Sequence, residues 1–396
     1  MKALWSAKEW FDRRRLPPAA KEVLRQERAL MVVSDPGPAQ VIEECVLWLG
    51  RAQDHSLSND GGVARHYSLI DGWARSYPET TGYIVPTLIN HGVETGHEDS
   101  IGRARRMLDW LVSIQFAEGA FQGGMVHQTP RVPVTFNSGQ ILIGLASGVA
   151  LDARYREPMQ RCADWMVRTQ DPDGCWRSHP TPFATGGEKT YETHAALGLI
   201  HAAMVDSERG YLEAALRQVD WALRLQTENG WLAKCCLSNP ENPLTHTLGY
   251  ALRGIIGAYS ASKDERYLRG ACRTADGLME ALDQEGRLPG RLDARWKPAV
   301  DWVCLTGTAQ IAQCFLLLHK ATGRDDYLRA GMAGNAFVRR TISLDGPPEI
   351  RGGVKGSFPV DGSYGPWQYL NWACKFVIDA NREEIGLAYK TPRGEI

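Results

Sequence analysis

The element Asp-Trp-x4-Gln-x3-Gly, followed within two residues by an aromatic ring, occurs three times with the same internal spacing. The copies are Asp109-Trp110…Gln115…Gly119…Phe121, Asp164-Trp165…Gln170…Gly174…Trp176 and Asp220-Trp221…Gln226…Gly230-Trp231. A partial copy precedes them at Trp48…Gln53, and a decayed one follows at Asp276-Gly277…Leu282…Gly286. The positions equivalent to the tryptophan, 48, 110, 165, 221 and 277, step by 62, 55, 56 and 56 residues. A period of this length suits two helices of roughly 15 residues with one short and one long connection, which confines the chain to a helical-repeat architecture.

The stretch 190–231 contains one whole unit. Leu212, Ala215, Leu216, Val219, Ala222 and Leu223 recur at i, i+3, i+4 spacing, with Glu213, Arg217 and Arg224 off that stripe, so this helix has one wet face. The preceding run 195–204 is apolar almost all round, as a helix enclosed by neighbours should be. Each unit therefore supplies an outer and an inner helix. The outer set falls near 41–53, 100–115, 157–170, 210–226, 266–282 and 326–341. The inner set, aligned on Gly82, Gly139, Ala195, Gly249, Gly307 and Ala373, falls near 79–94, 136–151, 190–205, 245–260, 303–320 and 365–382.

The repeat opens with a lone outer helix and ends with a lone inner one, and these complete each other only if the ends meet. The expected fold is all-α, an (α/α)6 toroid of six hairpins over residues 38–396. Residues 1–37 form an N-terminal helical extension of two short helices around Pro17-Pro18, ending at Asp35-Pro36-Gly37-Pro38. The pattern resembles the (α/α)6 toroid of the six-hairpin glycosidases and of related polysaccharide lyases and uronyl epimerases. The Gln-x3-Gly-aromatic tails are also similar to the repeats of squalene-cyclase and prenyltransferase toroids, but no DxDD or DDxxD motif stands at an inner-helix start.

The formal net charge is −1 and no long basic run occurs, which leaves nucleic acid and acidic membranes without electrostatic support as partners. Nine cysteines without CxxC spacing read as free thiols of a reducing compartment. Charges interrupt the N-terminal segment and no later stretch reaches the roughly 18 apolar residues of a span. The expected location is the cytoplasm. No phosphate loop, nucleophile elbow or metal-ligand spacing is present; His194, His246, Cys235, Cys236 and Cys304 lack the short pairing of a zinc site, so neither cofactor nor metal is expected.

Inner-to-outer connections are short, whereas the outer-to-inner ones, 54–78, 116–135, 171–189, 227–244, 283–301 and 343–365, are long and should carry function. Six inner-helix N-termini converging there favour an anion such as a uronate carboxylate. Just before the aligned small residue stand Glu79, Phe136, Glu192, His246, Cys304 and Leu370, a position that packing alone would keep apolar. Glu79 and Glu192 are expected to act as acid and base, with His246 and Asp301 in support. Tyr77, Arg131, Asn137, Trp176, Tyr191, His194, Trp302, Tyr364 and Trp367 are the expected substrate-binding residues, since rings beside charged and amide groups suit a sugar.

What the resemblance implies is hydrolysis of an anionic, uronate-containing oligosaccharide. The alternatives are a uronate lyase or epimerase, for which Tyr77, Tyr191 or His246 could be the base and Asn137 or Arg131 could neutralise the carboxylate, and a non-catalytic glycan-binding protein of polysaccharide assembly.

Overall fold

The computed structural model describes residues 16–29, 34–182, 184 and 187–388. The first of the two helices expected before residue 37 and the end of the 38–396 assignment lie outside these residues. Helix α1 (Pro18–Arg28) is followed by six hairpins. They are α2 (Pro38–Asp54) with α3 (Pro78–Thr95), α4 (Glu98–Ser113) with α5 (Thr135–Gly148), and α6 (Arg156–Arg168) with α7 (Thr193–Val205). The remaining three are α8 (Tyr211–Leu223) with α9 (Thr245–Ser262), α10 (Glu265–Ala281) with α11 (Leu305–Thr322), and α12 (Asp325–Arg339) with α13 (Asn371–Ala388).

Helices α3, α5, α7, α9, α11 and α13 pack each on the next, α13 returns to α3, and α13 also packs on α2, so the ring closes. The fold is the expected all-α (α/α)6 toroid. Proline at the first helical position starts α1, α2 and α3, where the missing N–H costs nothing, and left-handed Gly96 and Gly323 end α3 and α11. The inner helices approach closely where they lack a side chain: a Cβ on Gly144 of α5 would stand 2.2 Å from the Gly82 carbonyl oxygen of α3.

The repeated signature is the joint between hairpins. Gln115 donates to the carbonyls of Gly119 and of Pro158 on the next outer helix, and Gln170 does the same with Gly174 and Ala214. The aspartates accept from a tyrosine one repeat on: Tyr155 to Asp109 at 2.8 Å, Tyr211 to Asp164 at 2.7 Å and Tyr267 to Asp220 at 3.0 Å. Each signature glycine has positive φ and abuts the backbone of the next outer helix. A Cβ would lie 2.2 Å from Arg161 O at Gly119, 2.3 Å from Arg217 O at Gly174 and 2.1 Å from Arg273 O at Gly230. Gly352, a further equivalent absent from the sequence pattern, meets Glu44 O of α2 at 2.1 Å and so joins the last repeat to the first.

Small strands tie the long loops together. Strand β1 (His66–Ser68) pairs antiparallel with β2 (Gly72–Trp73), while β3 (Val303–Cys304) pairs with β4 (Ser357–Phe358). Strand β5 (Gln368–Leu370) pairs with β1, with Tyr67 opposite Tyr369, so the sixth loop is stitched to the first. Helix α1 docks against this stitching: Glu27 forms a buried ion pair with Lys355 at 3.0 Å and accepts from Val360 N at 2.6 Å. No helix among the described residues is long and apolar enough to cross a membrane.

Candidate active site

The inner-helix starts gather at the end of the ring that carries the long loops. Glu79 lies in the first turn of α3, half-buried, and its Oε2 accepts from the Tyr77 hydroxyl at 3.1 Å and from Asn137 Nδ2 of α5 at 3.0 Å. Burial raises its carboxyl to about 7, against the pull of Tyr77, the Arg65 guanidinium and Asn137, which favour the charged form. Arg65 lies over the rings of Tyr77, 5.7 Å away, and Trp372, 5.1 Å away.

Glu192 ends the short 3-10 turn Thr190–Glu192 that leads into α7. It is 4% exposed, its Oε2 has no hydrogen-bond partner, and burial raises it to about 8 with the Lys189 ammonium alone opposing. The two carboxyls thus differ in kind. Glu79 is held by donors that stabilise a carboxylate, whereas Glu192 is held as a neutral acid at pH 7.

Between them lies an aromatic centre. Tyr250 of α9 packs against His194 at 4.5 Å, His246 at 4.3 Å and Phe136 at 5.2 Å between ring centroids, and Phe136 meets Tyr191 at 5.2 Å. His194 places Nδ1 2.7 Å from Gln140 Oε1 of α5, and His246 places Nδ1 2.5 Å from Gln310 Oε1 of α11. With the amide oxygen accepting, each imidazole carries its proton on Nδ1 and keeps Nε2 as a lone pair. Burial lowers His246 to about 4 and His194 well below its ordinary value, so both are neutral at pH 7. Tyr364 packs against His246 with ring centroids 5.4 Å apart, tilted by 52°, and accepts from Trp372 Nε1 at 2.9 Å.

Of the residues singled out from sequence, the structure brings Tyr77, Glu79, Asn137, Tyr191, Glu192, His194, His246 and Tyr364 to this end of the ring. Others stand apart. Asp301 is exposed, while the adjacent Trp302 turns inward against Leu244 and Cys304. Trp176 is buried at a hairpin joint with its indole N–H on Met166 O, 2.9 Å, and offers no face to a sugar. Arg131 is exposed over the Phe116 ring and donates to Gln122. Trp367 sits at positive φ in the turn before β5. Sequence reasoning missed Tyr83, Gln140, Tyr250, Gln310 and Trp372; a glutamine inside an otherwise apolar inner helix was the available signal for two of them. Among the described residues, no group of three or more His, Cys, Asp or Glu side chains could hold a metal ion.

No protein-family model and no curated protein sequence matches the chain. Its fold is that of (α/α)6-toroid carbohydrate-active enzymes. It is similar to an unsaturated glucuronyl hydrolase specific for heparin, at TM-score 0.72 and 14% identity over 89% of this chain and 98% of that one. It is similar also to a D-mannose isomerase, at TM-score 0.72 and 11% identity over 88% and 97% of the two chains. A cellobiose 2-epimerase from Bacillus thermoamylovorans B4167 matches at TM-score 0.67 and 8% identity over 91% and 99%. At these identities the likeness is one of fold.

Proposed function

We propose that the chain is a carbohydrate-active enzyme, a glycoside hydrolase acting on an anionic, uronate-containing oligosaccharide. The carrying observation is the pair of desolvated carboxyls at equivalent inner-helix starts with unlike partners. In this reading Glu192, protonated at neutral pH, gives its proton to the departing glycosidic oxygen. The Glu79 carboxylate, steadied by Tyr77 and Asn137, takes a proton from the attacking water. The two belong to the first and third inner helices, and neither is among the charges that shift the other. In an inverting hydrolase the two carboxyls stand about 6.5–9.5 Å apart, which leaves room for that water. Arg65 beside Glu79 and Lys189 beside Glu192, with the helix N-termini, favour a substrate carboxylate. Residues 38–396 are the catalytic toroid and 1–37 its extension. Nine unpaired cysteines suit a reducing, cytoplasmic setting.

A second reading is favoured by one observation, the two neutral histidines with fixed tautomers on either side of Tyr250. They could remove and return a proton beside a carbonyl, as an epimerase or isomerase requires. Incubation with uronate-bearing disaccharides in D2O separates these chemistries. Hydrolysis yields new reducing ends without carbon-bound deuterium, and epimerisation yields deuterated sugar of unchanged length. Elimination yields an ultraviolet-absorbing product, and a binding protein yields none. Glu79→Gln and Glu192→Gln should each lower hydrolysis about 10²-fold or more; full turnover in both variants would sink the hydrolase assignment.

A further inference from the structure

The inner ring carries a second set of polar groups that the site above does not use. His201 lies seven residues beyond His194 on α7, and Arg253 seven beyond His246 on α9, so each repeats an inward direction two turns further from the mouth. Lys375 of α13 joins them, 8% exposed, with Nζ 5.4 Å from the Tyr83 ring centroid and 4.3 Å from that of Phe376. Above this layer the hydroxyls of Tyr83 and Tyr250 approach to 3.3 Å. They come from the first and fourth inner helices, which face each other across the ring, and so divide this layer from Glu79 and Glu192.

The charges here do not balance. Asp379 pairs with Lys375 at 2.7 Å and accepts from Thr87 at 2.8 Å, and Arg382 at the rim pairs with Glu94. Half-buried Arg253 makes no hydrogen bond or ion pair among the described residues, and neither does half-buried His201. Yet Arg253 is close enough to depress His194, His201 and Lys375 together, and His201 is brought to about 4, chiefly by burial. The Arg253 guanidinium is thus left without an acceptor among the described residues, and its planar fork is open to one from outside the chain.

We propose that this layer binds a small oxyanion of the phosphate or carboxylate type, with Arg253 as its planar fork and His201 as a second donor. The site does not depend on the hydrolase reading, because its occupancy can be measured without turnover. The anion is either free in solution or the acidic group of a sugar reaching past Tyr83 and Tyr250. The full chain is titrated calorimetrically with inorganic phosphate and, separately, with glucuronate at low ionic strength. Saturable binding of either is expected, weakened about tenfold or more in Arg253→Gln. Phosphate binding identifies a free anion, and binding of glucuronate alone identifies the sugar's own acid group. In the wild-type chain the His201 ring signals, assigned with His201→Gln, should move on binding while those of exposed His127 stay in place. No saturable binding of either anion, full binding by a folded Arg253→Gln chain, or unmoved His201 signals at saturation would overturn the proposal.

Discussion

Asn137 of α5 donates to Glu79 of α3 at 3.0 Å, so the state of one hairpin's carboxyl is set by its neighbour's helix start. This donor favours the charged form of Glu79, which burial holds at about 7. Asn137→Ala should push Glu79 higher still and move the acid limb of the pH–rate profile upward. Losing a hydrogen bond to a charged group is worth about 1.5–3 kcal/mol, so kcat/KM on that limb should fall about tenfold or more. An unmoved limb would remove Glu79 from the role of base.

The buried titrating groups set opposing slopes of stability with pH. Glu79 and Glu192 are raised on folding from 4.5 to about 7 and about 8, so their contribution is full below pH 4.5 and is lost as pH rises through those values. His246 and His201 are lowered from 6.5 to about 4, so theirs is full above pH 6.5 and is lost as pH falls through 4. Between 4.5 and 6.5 the two sets oppose each other, and above 6.5 only the carboxyls act. The unfolding temperature should therefore decline from pH 6.5 to 8, and Glu192→Gln should flatten that decline. Calorimetric scans across this range check both.

At Gly174 a methyl group would add left-handed strain, at φ 97°, to a 2.3 Å clash with the Arg217 carbonyl. Gly174→Ala should cost about 2–4 kcal/mol. Gly96→Ala, at φ 73° with nothing within 4 Å, should cost about 1 kcal/mol. Urea denaturation of the two variants measures the difference.

The Glu27–Lys355 pair is 7% exposed on each side. Glu27→Gln strands a buried ammonium and should cost about 3–5 kcal/mol, whereas Glu27→Gln with Lys355→Met should recover most of it. The double-mutant cycle is read from denaturant midpoints. Because Lys355 and Val360 belong to the loop that carries Tyr364, the single variant should also loosen the Tyr364–His246 contact, visible as greater solvent access to Tyr364.

The ring was legible in the sequence because its joints recur: Asp, Gln and Gly perform the same contacts at successive interfaces, and a repeated contact leaves a repeated letter. The helix-start positions were legible for the complementary reason, since Glu79, Glu192 and His246 break the apolar pattern of their own helices. Partners supplied by a neighbouring hairpin were not. That Gln140 meets His194 and Gln310 meets His246 depends on the register between inner helices, which no single-helix periodicity encodes. Asp301 differs from expectation because the backbone entering β3 leaves it exposed and turns its neighbour Trp302 inward, an alternation that nothing in the fifth loop's sequence marks.

The seat of α13 on α2 and α3 has a consequence for the birth of the protein. Of the helices described, the one that completes the ring is the last to leave the ribosome, and its resting place is the first hairpin made. Until then α2 and α3 present an uncovered apolar flank, and the contacts that cover it span nearly the whole chain. Such late, long-range closure favours slow folding and chaperone engagement of the nascent chain.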